Sequence, residues 1–116
     1  MTNMHEFGLM KSIVDIVYEF AMKNRAEKVT KIIVDIGAIS GVVPEYLSFY
    51  FEPCTKNTVM EGAQFETNLI PAIGNCNGCS STFDLLENNF VCPACKGESW
   101  ELTSGKELNI QGIEVI

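Results

Sequence analysis

The sequence predicts an α+β fold: two helices packed on a three-stranded sheet, interrupted by a small insert that apolar burial alone cannot shape. Three observations predict it. An N-terminal stretch repeats apolar residues at helical spacing, β-branched and alternating segments flank a second helix that starts on a proline, and four of the five cysteines form two Cys-x-x-Cys pairs between the last two of these strands.

The first helix reads from Leu9 to Asn24. Leu9, Met10, Ile13, Val14, Val17, Phe20 and Ala21 recur three and four residues apart, with Lys11, Asp15, Glu19 and Lys23 elsewhere. Lys28 to Ile36 is rich in β-branched residues and has apolar side chains of both parities, Ile32, Val34 and Ile36 against Val29 and Ile33, so it predicts a strand largely buried on both sides. Gly37 and Gly41 mark a turn. Pro44 opens a second helix, where its missing N–H would be unpaired anyway. That helix carries Leu47, Phe49, Tyr50 and Phe51, and Pro53 is expected to end or kink it. Gln64 to Ile70 alternates Phe65, Thr67 and Leu69 against Glu66 and Asn68. In the last strand, Lys106 to Ile116, the alternation changes phase at Gly112, where a β-bulge would restore register. The organisation that follows is one module of residues 1–71 and 106–116, with a cysteine module of residues 72–105 inserted into it.

A chain of 116 residues supports one modest core, but a stretch of about 30 residues needs a metal or disulfides to hold its shape. No segment approaches the roughly 18 to 20 apolar residues that span a bilayer. The start carries Glu6 and lacks the basic segment and cleavage site of a secretion signal, so the chain reads as soluble and cytoplasmic. Eight Lys and Arg against fifteen acids give a formal charge of −7. Such a chain has no basic face for phosphates, which disfavours nucleic acid and suits a basic protein partner.

Cys76-Asn-Gly-Cys79 and Cys92-Pro-Ala-Cys95 stand twelve residues apart. A two-residue gap lets one tight turn aim both sulfurs at a single ion, and two such turns complete the tetrahedron that Zn²⁺ accepts from thiolates. Four thiolates leave no open coordination position, so such a metal organises structure and catalyses nothing. The insert holds few apolar residues (Phe83, Leu85, Leu86, Phe90, Val91 and Trp100), so metal binding should supply most of its folding free energy. Disulfides fit a reducing compartment poorly and would leave one cysteine over. A duplicated dithiol redox motif would need a thioredoxin-like frame around each copy. Iron in a rubredoxin-like site uses the same ligands, and spacing does not separate it from zinc; ligand type and compartment favour zinc. Cys54, the fifth cysteine, reads as a small buried hydrophobe.

His5 is the sole histidine. Imidazole is a common metal ligand and Glu6 adds a carboxylate beside it, but tetragonal Ni²⁺ or Cu²⁺ sites need more donors than two adjacent side chains offer. Nothing in the chain pairs a nucleophile with a base, and a four-cysteine zinc is saturated, so no enzyme is indicated.

Taken together, Met4-His5-Glu6, the amphipathic helix, the segment from Val34-Asp35-Ile36-Gly37 through Ser40-Gly41-Val42-Val43-Pro44-Glu45, and the paired Cys-x-x-Cys motifs resemble the HypA/HybF family of hydrogenase maturation factors along essentially the whole chain. The resemblance implies a nickel metallochaperone, with Ni²⁺ as transient cargo and Zn²⁺ as a structural ion. It implies delivery to the [NiFe]-hydrogenase large subunit together with a HypB-type GTPase; some relatives also serve urease, which adds urease maturation proteins as partners. It implies two helices on a three-stranded mixed sheet with an inserted zinc ribbon. It also implies near-square-planar nickel held by the His5 imidazole, the main-chain nitrogens of His5 and Glu6, and the nitrogen of Met4.

Two departures stand out. Met1-Thr2-Asn3 precede Met4, whose nitrogen is then an amide. Either translation starts at Met4, or the three residues are an addition, or binding draws on further amide nitrogens before His5. Some relatives carry histidines near the zinc site; here Lys96 follows Cys95, which predicts zinc ligation without a histidine-based pH response. The competing reading is a zinc-ribbon interaction module with no metal-delivery role. Monomer and homodimer both fit the sequence.

Overall fold

The computed structural model describes residues 4–116. The chain forms two compact units. The first takes in the chain up to Asp35, Val42–Asn68 and Asn109–Ile116; the second comprises Ile36–Gly41 and Leu69–Leu108.

In the first unit, helix α1 (Met4–Lys23) buries Met10, Ile13, Val17 and Ala21, spaced three and four residues apart. Phe20, grouped with that stripe in the sequence, is exposed. The helix starts five residues earlier than its periodicity indicates. Gly8, which costs a helix about 1 kcal/mol relative to alanine, hides the extension. Tertiary contacts offset that cost: the Phe7 ring meets Tyr50 edge-on with centroids 5.3 Å apart, and Lys11 lies over Phe7. At the other end, Arg25 takes the left-handed conformation at φ 52°, and the Arg25 and Ala26 N–H groups donate back to Met22 and Ala21. This is the Schellman closure, made here without glycine.

Strand β1 (Val29–Gly37) buries Val29, Ile32, Val34 and Ile36. Burial on both sides forms unevenly: Val29, which shares its face with Lys31, Ile33 and Asp35, is fully buried. On the second face Lys31, Ile33 and Asp35 are half-buried, with Lys31 paired to Glu66 at 3.2 Å and Asp35 accepting from Asn68. The second helix comes in two pieces, α2 (Pro44–Phe49) and α3 (Phe51–Thr55). Pro53 does not end it but splits it upstream. The proline ring would strike the Phe49 carbonyl four residues back, so the chain breaks at Tyr50, and Pro53 falls in the first turn of α3, where no donor is missed. Leu47, Phe51, Met60 and Thr55 complete the buried set, and Thr55 donates its hydroxyl to the Phe51 carbonyl.

Strands β2 (Gln64–Ile70) and β6 (Leu108–Val115) flank β1 in the order β2-β1-β6. The sheet is mixed. Bonds from Thr30 to Glu114 and from Gly37 to Glu107 run in opposite directions along the chain, whereas Lys31–Glu66, Asp35–Asn68 and Ala38–Ile70 advance together. A parallel neighbour requires a crossover, which α2 and α3 supply. In β6 the exposed residues are Asn109, Gln111 and Glu114, so the alternation shifts at Gly112 as its sequence indicates.

The second unit contains strands β3 (Ile73–Cys76), β4 (Thr82–Asp84) and β5 (Trp100–Ser104), which form an antiparallel sheet in the order β4-β3-β5. Its small core is Ala72, Cys76, Phe83, Leu85 and Cys92, with Ala38, Ile39, Trp100 and Leu102 packed against it. Gly37 and Gly105 are needed for close approach. A Cβ on Gly37 would lie 2.1 Å from the Gly105 carbonyl oxygen, and one on Gly105, at φ 122°, would lie 2.6 Å from Ala72 Cα. Among the described residues, no helix is long and apolar enough to cross a membrane.

Candidate metal centres

The cysteine centre is built by two matching turns. Cys76 ends β3, and the Ser80 N–H returns to its carbonyl at 2.9 Å; likewise the Lys96 N–H returns to the Cys92 carbonyl at 2.8 Å. Ser80 and Lys96, each just after the second cysteine of its pair, are left-handed at φ 65° and 66°. The chain thereby reverses around each pair, and both sulfurs point inward. Cys76 and Cys92 are buried, while Cys79 and Cys95 are exposed.

All four sulfurs lie within 4.8 Å of one another. Cys76 and Cys95 Sγ are 3.5 Å apart, and Cys79 and Cys92 Sγ are 3.6 Å apart. These separations are far too long for an S–S bond of about 2.05 Å. They approach the edge of about 3.8 Å expected of a tetrahedron with metal–sulfur bonds of about 2.3 Å. None of the five cysteines is in a disulfide, and Cys54 is half-buried, with burial pushing its thiol up against the opposing pull of Lys11.

The thiols are not equivalent. The Ser81 hydroxyl, 3.3 Å from Cys79 Sγ, and the Ser81 N–H favour the thiolate and bring Cys79 down to about 6. The Cys79 and Gly78 N–H groups lower Cys76. Cys95 has a favourable Gly97 N–H, yet the neighbouring Cys76 and Cys79 sulfurs push it up to about 11. Negative charge on some sulfurs thus suppresses it on the others, and a bound cation removes that conflict. A divalent ion that favours four thiolates fits this donor set. A Cβ on Gly97 would stand 3.2 Å from Cys95 Sγ, so that glycine also serves the cluster. Ser81 is a site residue that spacing rules alone do not single out.

The N-terminal candidates lie in the first unit. His5 is exposed in the first turn of α1. Glu6 is only 5 % exposed, and its carboxylate Oε2 accepts the Val43 N–H at 3.2 Å at the entry to α2, whose N-cap residue Val43 makes no capping bond with its own side chain. The Met4 backbone opens α1; its side chain, like residues 1–3, lies outside the described residues. The first four N–H groups of an α-helix have no partner within it, so the amides of His5 and Glu6 take no part in the helical ladder.

A family profile described as "Hydrogenase/urease nickel incorporation, metallochaperone, hypA" matches residues 4–115. The chain belongs to the HypA family. The match begins on the Met4-His5-Glu6 triplet. The chain is 39 % identical over 113 residues to "Hydrogenase maturation factor HypA" of Geotalea daltonii, covering 97 % of this chain and 100 % of that one. It is also 39 % identical over 113 residues to the factor of the same name from Rhizobium leguminosarum bv. viciae, with the same coverage. Among solved structures it is similar to "Solution structure of HypA protein", with a TM-score of 0.72, 25 % identity and coverage of 99 % and 98 % of the two chains. The nickel metallochaperone HypA from Helicobacter pylori has the same fold, with a TM-score of 0.67 at 24 % identity over 96 % of this chain and 97 % of that one. HypA proteins are metallochaperones and maturation factors, so the chain is not an enzyme.

Proposed function

We propose that this HypA-family chain binds Ni²⁺ at its N-terminus and delivers it during maturation of [NiFe]-hydrogenase, with Zn²⁺ held by Cys76, Cys79, Cys92 and Cys95 as a structural ion. Nickel belongs to the helix-and-sheet module and zinc to the ribbon. The donors to nickel are the His5 imidazole, the main-chain nitrogens of His5 and Glu6, and the nitrogen of Met4. The receiving protein is the hydrogenase large subunit, a HypB-type GTPase cooperates, urease maturation proteins are further partners in the same chemistry, and the setting is the cytoplasm.

One observation carries this reading: His5 is exposed in a helical first turn whose amides are free of the ladder, while the neighbouring Glu6 carboxylate is already engaged by Val43. Glu6 therefore offers nickel its main-chain nitrogen, and its side chain anchors the turn. Ni²⁺ in a nitrogen field can displace amide protons, and short chelate rings between adjacent residues keep the donors together. Release follows from the same chemistry, since protons or a better receiving site compete for those nitrogens. Calorimetric titration with Ni²⁺ tests the proposal. One ion per chain is expected, and His5→Ala is expected to lose it while zinc content stays at one per chain. Unchanged nickel affinity in that variant would reduce the molecule to a zinc-ribbon interaction module.

A further inference from the structure

The ribbon unit exposes an aromatic feature that its metal does not require. Asn89 and Phe90 are consecutive left-handed residues, at φ 55° and 64°. Bulky side chains rarely adopt that region, and such conformations persist only where surrounding structure imposes them. Here it is imposed. The Phe90 N–H donates to the Leu85 carbonyl at 2.8 Å, and the indole Nε1 of Trp100 donates to the Phe90 carbonyl at 3.0 Å. The single N–H of the only tryptophan side chain is thus spent on fixing a strained phenylalanine.

The outcome is not burial of that phenylalanine. The Phe90 ring stacks on Trp100, with centroids 6.1 Å apart and planes 28° apart, yet it stays 41 % exposed, and Leu86 nearby in the chain is 48 % exposed. Glycine at 89 or 90 would meet the same backbone demand without strain. The charge along this stretch is predominantly negative, with Asp84, Glu87, Glu98 and Glu101 against Lys96 alone and the three glutamates exposed. Aromatic faces that stack bases also serve nucleic acids, but an excess of carboxylates along the same stretch repels phosphate. The group that suits both a stacked π-face and carboxylates flanking it in the chain is the planar guanidinium.

We propose that Phe90, Trp100 and Leu86 form a docking surface for a basic protein segment that presents arginine beside apolar side chains, with Glu87 and Glu98 pairing to its charge. This surface is separate from the nickel proposal and holds whether or not His5 binds metal.

Trp100, as the only tryptophan, reports on the site directly by fluorescence. The test titrates the zinc-loaded full chain with an acetylated hexapeptide alternating leucine and arginine, and with its lysine and glutamate counterparts. The arginine peptide is expected to change Trp100 emission saturably, the lysine peptide to bind roughly five- to tenfold more weakly, and the glutamate peptide not at all. Phe90→Ala is expected to weaken the arginine peptide by a similar factor with zinc retained. Should that variant lose zinc, the double variant Glu87→Gln, Glu98→Gln, altered only at exposed side chains, decides by the same measurement. Equal binding of arginine and lysine peptides, or undiminished affinity in the informative variant, would overturn the proposal and leave Phe90 as a lid on Trp100.

Discussion

The two units are held together by different physics. The helix-and-sheet unit buries Met10, Ile13, Val17, Ala21, Val29, Ile32, Val34, Leu47, Phe51 and Met60, contributed by α1, β1, the split helix and the loop before β2. The ribbon unit has a core cluster of five buried residues, two of which, Cys76 and Cys92, belong to the four-cysteine cluster. In the first, each buried aliphatic side chain contributes about 1.5 to 3 kcal/mol and the sum sustains the fold. In the second, apolar area is scarce, and the four clustered sulfurs suit an ion that ties the turns at Cys76–Cys79 and Cys92–Cys95 together. The contrast separates a unit designed by burial from one designed by ligation.

Removing the metal is the strongest way to break that comparison. Chelation, or Cys92→Ala, is expected to withdraw on the order of 10 kcal/mol of metal-coupled folding free energy from the ribbon. Amide dispersion in solution NMR should collapse for Thr82–Asp84 and Trp100–Ser104 and persist in α1 and β1. Loss of both sets together would show that the first unit does not stand on its core. The complementary change is Leu47→Ala, which removes a fully buried side chain. It should cost about 3 kcal/mol in denaturant unfolding monitored at α1 and β1, with zinc affinity unaltered.

A smaller effect is expected at Glu6. Glu6→Gln keeps the shape but weakens the bond from Val43, at a cost of about 1 kcal/mol to the first unit. Circular dichroism melts measure it, and an unchanged midpoint would mean that the buried carboxylate does not anchor the turn.

Much of the fold was legible in the linear pattern because it is local. The stripe on α1, the β-branched run of β1, the phase shift at Gly112 and the two Cys-x-x-Cys turns each depend on residues a few positions apart. The errors arose where distant residues intervene. Helix α1 reaches Met4 because Phe7 finds Tyr50 and Glu6 finds Val43, contacts that outweigh Gly8. Pro53 broke the helix at Tyr50 and not after itself, since its clash is with a carbonyl four residues back. The second face of β1 is less completely buried beyond Val29, because Lys31 and Asp35 meet polar partners across the sheet.

By itself the sequence determined the ligand chemistry of the cysteine cluster, the helical and extended periods, and the membership signalled by Met4-His5-Glu6, all properties of short-range spacing and residue type. Only the tertiary structure decided that the Glu6 carboxylate is buried on Val43, that Gly37 and Gly105 must lack side chains, and that Phe90 is held strained and exposed on Trp100. These depend on which distant backbone groups end up within a few ångströms of each other, and no periodicity along a chain encodes that distance.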